Sequence, residues 1–478
     1  MLDLQRLLPP FNPWWGDTNR SFAELSGFRR PLFDDLKRDI ESLPQIISLM
    51  GPRRVGKTTL LHQLIQDLIE QGVNPRHIVY YSMDDPALMM NTNEEINSFI
   101  EEAMQLTRQS SEPFYFFLDE IQRLDRWELY LKKYYDLKYP VRFVISGSAS
   151  SPIFKKSRES LLGRVKDYHL LPFSFKEYAL YQLRDSSLTA EIQTMSGAAT
   201  EMLQQVIEPS IAPDAVLIPD VSIELQHRLD ELLSVYMHEG GFPEVWSLPT
   251  LVSKLDYLFD NQIRKVIDED LVLAVELRKP ELLKRFYLSL LEIPGVEKNL
   301  SEISETTGIN KQQVEKYLPL LEMTDLLFHV SKFRKGGLSV RMGNVKFYLV
   351  DLALRNAVLR ISPQELAQDS ATLGRYAENL VFLALQKMLG RGLMGIDFFR
   401  EREEKIDFIA HVGSGRYLPI EVKYRKNIGP KDLKMLHKFV KLYPNSAQPV
   451  VVTKSWDQFG YINGVFHWPL SLYLILWS

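Results

Sequence analysis

A single eight-residue motif constrains the fold of this chain more than any other feature. The sequence GPRRVGKT at residues 51–58 fits the pattern G-x-x-x-x-G-K-[ST] at every position, after the apolar run IISLM and before a helical pattern. In such a strand–loop–helix unit, backbone N–H groups and the positive end of the helix dipole face phosphate groups. The motif therefore predicts an α/β layer that carries a phosphate-binding loop.

Apolar runs and charge divide the chain. Four runs, at residues 46–50, 77–83, 114–119 and 141–148, alternate with helical patterns and are expected to be buried parallel strands. Residues 371–478 carry a net charge of +6, whereas the whole chain of 478 residues carries −4. We expect four segments, which are 1–185 for the phosphate-loop domain, 186–280 for a helical lid or linker, 281–365 for a winged-helix-like domain and 366–478 for a second α/β domain.

Composition excludes several classes of protein. The chain has no cysteine, which excludes a disulfide scaffold, a thiol nucleophile and a Cys-ligated metal centre. No apolar run reaches the roughly 20 residues that cross a bilayer, and the N-terminus lacks the cleavage site of a signal peptide. We therefore expect a cytoplasmic protein without a membrane partner.

Polar residues at the ends of the apolar runs indicate a site for ATP and Mg²⁺. Lys57 is expected to reach the β- and γ-phosphates, and Thr58 and Asp119 to hold Mg²⁺. Glu120 would polarise the attacking water, and Ser146 would sense the γ-phosphate. An acidic pair that caps a helix and a plain strand end are the alternatives. The residues expected to bind nucleotide are Gly51, Pro52, Arg53, Arg54, Val55, Gly56, Lys57, Thr58, Thr59, Asp119 and Ser146.

An arginine after the fourth run suggests an assembly of subunits. In a ring, Arg164 can reach the nucleotide of the neighbouring subunit and act as a catalytic arginine in trans. Arg158 competes for this role, and a surface cation is the alternative. Near the N-terminus, Trp14 and Trp15 either close over an adenine or belong to a packed aromatic cluster.

These motifs together carry a resemblance. The segments GPRRVGKTTLL, YYSMDDP, FFLDEIQRLDRWE, ISGSASS and LLGRV…LLPFSFKEY resemble the P-loop ATPase of bacterial and archaeal proteins in the AAA+/STAND neighbourhood, and GGFPEVW at residues 240–246 resembles a helical segment of the same family. The resemblance implies an ATPase of AAA+ type joined to a C-terminal region of unknown function.

The middle of the chain predicts a winged helix. Apolar residues recur at helical spacing around Ile303, a turn follows at Gly308, and a second helical pattern runs through Leu321. Two strand patterns come next, joined by a basic, glycine-containing tip. The residues that would face DNA are Lys311, Gln312, Gln313, Arg334 and Lys335. A module used only for packing is the alternative, because the local charge is nearly balanced.

A second chemical constellation lies near the C-terminus. Glu378 lies on a predicted helix, Asp407 on a predicted strand, and Glu421 and Lys423 share one face of the next strand. Asp407 and Glu421 would bind Mg²⁺, which activates a water for phosphodiester cleavage, and Glu378 would add a ligand or orient one. Lys423 would position that water or neutralise charge. An edge strand with solvated charges is the alternative.

This constellation resembles the PD-(D/E)xK nuclease superfamily, with Ile406 in place of the proline of the motif name. The resemblance implies a restriction-endonuclease-like α/β fold for residues 366–478. Residues 421–441 carry a net charge of +5, which suits a nucleic-acid backbone, although the same lysines also suit a solvated helix face.

The sequence therefore predicts an ATP-binding and ATP-hydrolysing protein that couples its nucleotide state to DNA binding or to Mg²⁺-dependent DNA cleavage. The expected partners are nucleic acid, most simply DNA, and further copies of the chain. A nucleotide-switched regulatory or scaffold ATPase, or a ring motor, whose nuclease-like domain binds without cutting, is the alternative.

Overall fold

The computed structural model describes residues 10–16, 25, 27–85, 101–102, 112–124, 126–148, 161–208, 210–212, 216, 218–271, 280–334, 343–389, 395–413 and 415–478. The chain forms two compact units. The first falls within residues 1–171, 264–278 and 323–325, and the second within residues 172–263, 279–322 and 326–478. The four predicted segments have boundaries that differ from those of the two units, and they stay a prediction.

A parallel sheet forms the centre of the first unit. Among the described residues its strands are β1 (Ile46–Gly51), β2 (Ile78–Ser82), β3 (Phe114–Asp119), β4 (Val141–Ser148) and β5 (Val165–His169), in the order β2-β3-β4-β1-β5. The four predicted parallel strands are confirmed. The sequence does not predict β5, because its VKDYH pattern is that of a half-buried edge strand rather than a continuous apolar run.

Helices and short turns connect these strands. Phe116, Ile145 and Trp127 belong to one buried cluster, which joins the sheet to a helix after β3. The helices of the first unit are Leu32–Ser42, Lys57–Glu70, Trp127–Asp136 and the π-helical Val266–Leu271, with 3-10 turns at Pro13–Trp15, Pro75–His77 and Ile121–Arg123.

The N-terminal segment covers the edge strand β2. The side chain of Asn12 accepts from the backbone N–H of Tyr80 at 2.7 Å and donates to the carbonyl of the same residue at 3.0 Å. The indole N–H groups of Trp14 and Trp15 both donate to the carbonyl of Ile78. The two tryptophans therefore pack on the sheet edge, which would otherwise present unpaired backbone groups.

The second unit begins with a helical layer. Its core includes Leu225, Leu229 and Ile192, all fully buried. Asn299 caps a helix that ends at Gly308 with a positive φ of 68°, which agrees with the predicted turn. The helices are Phe175–Gln182, Ser186–Ile207, Ile223–Glu239, Pro243–Trp246, Leu251–Leu258, the π-helical Phe259–Arg264, Pro280–Leu291, Leu300–Thr307, Lys311–Met323, Ala353–Leu359, Pro363–Gln368, Ser370–Met388, Pro430–Leu442 and Leu470–Trp477, with a 3-10 turn at Trp456–Gln458.

A mixed sheet of nine strands, counted over the described residues, completes the second unit. Its order is β13-β14-β12-β11-β10-β9-β7-β8-β6. The strands are β6 (Glu297–Lys298), β7 (Leu327–Lys332), β8 (Val345–Leu349), β9 (Ile396–Glu401), β10 (Glu404–His411), β11 (Tyr417–Lys423), β12 (Val450–Thr453), β13 (Gly460–Ile462) and β14 (Val465–Pro469).

Strands from the predicted winged-helix segment and from the predicted nuclease-like segment share this sheet. The hairpin partners β7 and β8 are antiparallel, and β7 pairs in parallel with β9 through Ser331 opposite Asp397 and Lys332 opposite Phe398. Beyond Arg334, the predicted basic tip between β7 and β8, including Lys335, lies outside the described residues. The pattern at residues 397–412 forms the hairpin β9–β10, because the polar residues around Arg402 make the turn.

The GGFPEVW segment is held by a buried carboxylate. Gly240 has a φ of +73°, and a Cβ there would lie 2.1 Å from Oδ1 of Asp351. The backbone N–H of Gly241 donates to Oδ2 of Asp351 at 2.6 Å, and that of Ala353 donates to Oδ1 at 2.8 Å. The carbonyl of Gly241 accepts from the N–H of Phe173 at 2.8 Å. The paired glycines therefore allow a close approach that a side chain at either position would prevent.

Candidate functional site

The phosphate loop has the geometry that its sequence predicts. The loop leaves β1 at Gly51, and the helix Lys57–Glu70 begins directly after Gly56, which has a φ of 95°. Arg54 also has a positive φ, of 63°. These left-handed residues curl the backbone, so that the first N–H groups of the helix end at the mouth of the loop.

The lysine of the motif lies inside the loop. Lys57 is 5% exposed, and its Nζ donates to the carbonyls of Gly51 at 3.1 Å and Pro52 at 2.9 Å. Val55 is buried, Arg53 and Thr59 are half-buried, and Arg54 is exposed. An ammonium held by loop carbonyls at a helix N-terminus is suited to exchange those carbonyls for the phosphates of a bound nucleotide.

Asp119 is the centre of the polar site at the ends of the strands. Its Oδ2 accepts from the hydroxyls of Thr58 at 2.6 Å and Tyr80 at 3.2 Å. Its Oδ1 accepts from the hydroxyl of Ser146 and from the N–H of Glu120. The parallel order β3-β4-β1 brings these groups to one edge of the sheet. A hydroxyl and a carboxylate in contact are hard oxygen ligands that suit Mg²⁺.

Glu120 adopts a strained backbone conformation beside Asp119. Its φ of 52° lies in the left-handed region, where residues other than glycine are uncommon. Burial raises the pKa of its carboxyl, an effect that the ammonium of Lys57 opposes. The side-chain amide of Gln122 donates to the same carboxyl. A carboxylate with a raised pKa is suited to accept a proton from water near neutral pH.

The sequence misses a residue that supports the loop. Arg30 is 7% exposed, and its guanidinium donates to the carbonyls of Val55 at 3.3 Å and Leu171 at 2.9 Å. Gly51 also lets the loop pack closely against the chain at Leu170, because a Cβ at Gly51 would lie 2.1 Å from the carbonyl oxygen of Leu170. No local sequence pattern indicates this role of Arg30, since its partners are distant in sequence. Tyr80 is missed for the same reason.

Arg164 pairs with a carboxylate of its own unit. Its Nε lies 2.7 Å from Oδ1 of Asp136, and a second nitrogen lies 3.3 Å from Oδ2. The pair is bidentate and partly exposed. A role in trans stays a prediction for Arg164, and the competing Arg158 lies outside the described residues.

The structure brings the predicted C-terminal residues together. Asp407 on β10 and Glu421 on β11 are 2% and 3% exposed, and Glu378 on the helix Ser370–Met388 is 9% exposed. The N–H of Asp407 donates to Oε2 of Glu421 at 3.2 Å, and the N–H of Val422 donates to Oδ2 of Asp407 at 3.0 Å. We name Glu378, Asp407 and Glu421 the carboxylate cluster.

Three lysines neutralise the carboxylate cluster. Lys346, which the sequence misses, lies 2.8 Å from Glu378 and 3.4 Å from Asp407. Lys405 lies 3.8 Å from Asp407, and Lys423 pairs with Glu421. Burial and the Asp407 carboxylate raise the pKa of Glu421 to about 8. Within the described ranges no group of three or more His, Asp or Glu side chains is arranged to hold a metal ion. The predicted Mg²⁺ ligands stay a prediction.

The winged-helix residues lie on the surface of the second unit. Lys311 and Gln312 are exposed in the first turn of the helix Lys311–Met323, and Gln313 is half-buried. Arg334 is exposed just beyond β7. These positions are compatible with the predicted contact to DNA, which stays a prediction.

Comparison with known families defines the class of the N-terminal part. Residues 43–179 match the AAA domain family. Together with the parallel sheet and the phosphate loop, this match supports an α/β P-loop domain of the AAA ATPase type. The predicted ATPase class is therefore confirmed at this level. Residues 230–365 and 373–473 match two families that are each described as a domain of unknown function, DUF8612 and DUF4143.

Several whole proteins are similar to the chain. An uncharacterized protein of Haemophilus influenzae is 26% identical over 371 residues, which cover 76% of this chain and 78% of that protein. Two uncharacterized proteins of Methanocaldococcus jannaschii are each 25% identical, covering 82% and 67% of this chain and 78% and 65% of their own lengths.

Solved structures show weaker likenesses. The PCH-2 protein of C. elegans is 16% identical with a TM-score of 0.28, and the match covers 46% of this chain and 60% of that chain. AMPPCP-bound DnaA of Aquifex aeolicus is 12% identical with a TM-score of 0.24, over 62% of this chain and 88% of that one. TM-scores this low carry no argument about this chain.

None of the described helices is long and apolar enough to span a membrane.

Proposed function

We propose that the first unit hydrolyses ATP by attack of a water that Glu120 activates. One observation carries this proposal, which is the 2.6 Å contact between the Thr58 hydroxyl and the Asp119 carboxylate, with Glu120 directly after Asp119. This contact joins the helix that follows β1 to the end of β3, so the residues proposed to bind phosphate, to hold Mg²⁺ and to act as the base are neighbours.

Each residue has a defined part in this reaction. The N–H groups at the start of the helix Lys57–Glu70 and the ammonium of Lys57 would bind the β- and γ-phosphates. Thr58 and Asp119 would hold Mg²⁺, which neutralises charge on the phosphates. Tyr80 and Ser146 fix the Asp119 carboxylate through their hydroxyls. Glu120 would take the proton of the attacking water, which its raised pKa favours.

Replacing Glu120 with glutamine tests this function. The amide cannot accept the proton, so we expect ATP turnover to fall by at least about 100-fold while ATP binding is retained. Turnover is measured by release of inorganic phosphate, and binding by fluorescence of a labelled ATP analogue. The control Glu70→Gln makes the same chemical change at the exposed end of the helix Lys57–Glu70 and should leave turnover unchanged. Equal turnover in Glu120→Gln and the wild type would refute the proposed base.

We further propose that the second unit binds a nucleic-acid backbone and that the nucleotide state of copies assembled through Arg164 controls this binding. The support is the net charge of +5 over residues 421–441 and the exposure of Lys426, Lys431 and Lys441. Lys434 and Lys438 contribute less, because they pair with Glu404 at 3.2 and 2.7 Å. Binding without cleavage is favoured by Lys346, whose ammonium lies within the carboxylate cluster.

Labelled single-stranded, duplex and branched DNA distinguishes these outcomes. We expect binding that weakens with salt, and a loss of about tenfold in affinity when Lys426, Lys431 and Lys441 are replaced by glutamine. Fluorescence anisotropy measures the affinity, and the pair Lys434→Gln and Lys438→Gln is the matched control with a smaller loss. Cleavage in Mg²⁺ that Asp407→Ala abolishes would instead establish the nuclease. A protein that hydrolyses ATP but binds none of these DNAs would contradict the proposed binding of nucleic acid by the second unit.

A further inference from the structure

A lysine occupies the centre of the carboxylate cluster. Lys346 lies on the fully buried strand β8, and its side chain is 5% exposed. Its Nζ is 2.8 Å from Oε1 of Glu378 and 3.4 Å from Oδ1 of Asp407, and it lies 5.5 Å from the centre of the Phe398 ring. An ammonium is seldom buried so completely unless carboxylates compensate its charge, as they do here.

The electrostatics agree with a charged lysine. Burial opposes the charged form of Lys346, but the carboxylates of Glu378 and Asp407 outweigh this effect and raise its pKa above the usual range. Burial also disfavours the charged form of Asp407, yet Lys346 and other lysines lower the pKa of that carboxyl. The ammonium of Lys346 and the carboxylate of Asp407 therefore stabilise one another as ions, whereas burial and the Asp407 carboxylate raise the pKa of Glu378 against the opposing effect of Lys346.

Most carboxylate oxygens of the cluster already have partners. Oε1 of Glu378 accepts from Lys346 and from the hydroxyl of Tyr348 at 2.8 Å. Oδ2 of Asp407 and Oε2 of Glu421 accept from backbone N–H groups, and Oε1 of Glu421 accepts from Lys423. Gly295 covers the other side, since a Cβ there would lie 3.3 Å from the Glu378 carboxylate. A divalent ion needs several such oxygens turned towards one point at about 2.0–2.6 Å.

The lysine and the carboxylates come from different parts of the chain. Lys346 lies in the segment 230–365 that matches one family, whereas Glu378, Asp407 and Glu421 lie in the segment 373–473 that matches another. The pairing of β7 with β9 and of β7 with β8 brings the two parts together in one sheet. The residues present therefore do not fit the Mg²⁺ that the nuclease-like pattern implies.

We propose that Lys346 is the resident cation of the carboxylate cluster and excludes Mg²⁺ and Mn²⁺ from it for as long as β8 stays paired in the sheet. In this arrangement the cluster is an internal ionic lock between the two segments rather than a metal centre. Displacement of β8 would withdraw the ammonium and leave a cluster of carboxylates able to take a divalent ion.

Titration of Mn²⁺ into nucleotide-free protein tests this proposal. We expect Lys346→Met to gain one bound ion, with an affinity at least tenfold above that of the wild type for this site, and Asp407→Asn to abolish the gain in the double variant. Isothermal titration and the electron paramagnetic resonance of free Mn²⁺ measure binding. Lys405→Met is the matched control, because its lysine is also within 3.8 Å of Asp407 but is 55% exposed, and it should gain no ion.

Two results would overturn the proposal. One is a folded Lys346→Met that gains no ion. The other is a wild type that binds an ion which Asp407→Asn removes, and this comparison remains decisive if Lys346→Met does not fold. Mn²⁺ should also raise the unfolding temperature of Lys346→Met more than that of the wild type. Turnover of ATP by the first unit is a separate readout, so failure here leaves the proposed ATPase function untouched.

Discussion

Replacing Lys57 with alanine is expected to abolish ATP turnover, with kcat/KM at least about 1,000-fold below that of the wild type. The ammonium of Lys57 lies inside the phosphate loop, 3.1 and 2.9 Å from the carbonyls of Gly51 and Pro52. Alanine removes the buried charge that would meet the phosphates in the ground state and in the transition state. We therefore expect both binding and hydrolysis to fail, in contrast to Glu120→Gln, which retains binding.

Thermal unfolding with and without ATP separates these effects. A ligand that binds only the folded protein stabilises it by about 2.7 kcal/mol at a concentration 100 times its Kd. Millimolar ATP with Mg²⁺ should therefore raise the unfolding temperature of the wild type and leave that of Lys57→Ala unchanged. Arg76→Ala removes one exposed positive charge from the same unit and should behave as the wild type. An ATP-dependent shift of normal size in Lys57→Ala would contradict the proposed role.

Replacing Asp351 with asparagine is expected to remove a large part of the pH dependence of stability in the second unit. Burial raises the pKa of the Asp351 carboxyl to about 7, although the N–H groups of Gly241 and Ala353 oppose this shift. An unfolded aspartate has a pKa of about 3.9. Between these values the folded chain holds a proton that the unfolded chain releases. The contribution to stability is therefore full below about pH 4 and is lost as the pH rises through 7.

Urea unfolding at a series of pH values measures this effect. The free energy of unfolding of the wild type should fall by about 2–3 kcal/mol more than that of Asp351→Asn between about pH 5 and pH 8. The contributions of the other buried acids, such as Glu378 and Glu421, to the pH dependence of stability cancel in this comparison, because both proteins contain these residues. Parallel pH profiles would show that Asp351 does not titrate in this range. A lower stability of the variant is expected as well, because the side-chain NH2 group of asparagine cannot accept a hydrogen bond and leaves the backbone N–H of Gly241 or Ala353 without its acceptor.

The first unit follows from local sequence patterns. The runs that form β1 to β4 are continuous and apolar, as buried parallel strands require, and the G-x-x-x-x-G-K-[ST] pattern lies where its strand and helix predict. Thr58, Asp119 and Ser146 could be placed at one edge because parallel strands end together. The edge strand β5 escapes prediction, since four of its five residues are only partly buried and Lys166, Asp167 and His169 interrupt its apolar pattern.

The carboxylate cluster shows what local patterns cannot give. Glu378, Asp407 and Glu421 follow from their order along the chain, but Lys346, the partner of Glu378, lies 32 residues away on the strand β8. The one sequence signal for Lys346 is a lysine within the apolar run NVKFYLV. A buried lysine requires a carboxylate, but the identity of that carboxylate depends on the register of nine strands.

The pairing of β7 with β9 also decides how this protein can be dissected. A recombinant fragment that begins at residue 366 would contain β9 to β14 but neither β7 nor β8. It would expose the edge of β9 as a template for aggregation and leave Glu378 and Asp407 without the ammonium of Lys346. Insolubility of such a fragment, or metal binding by it, would be a product of the cut and not a property of the intact chain. Expression designs should therefore keep residues 281–478 in one piece.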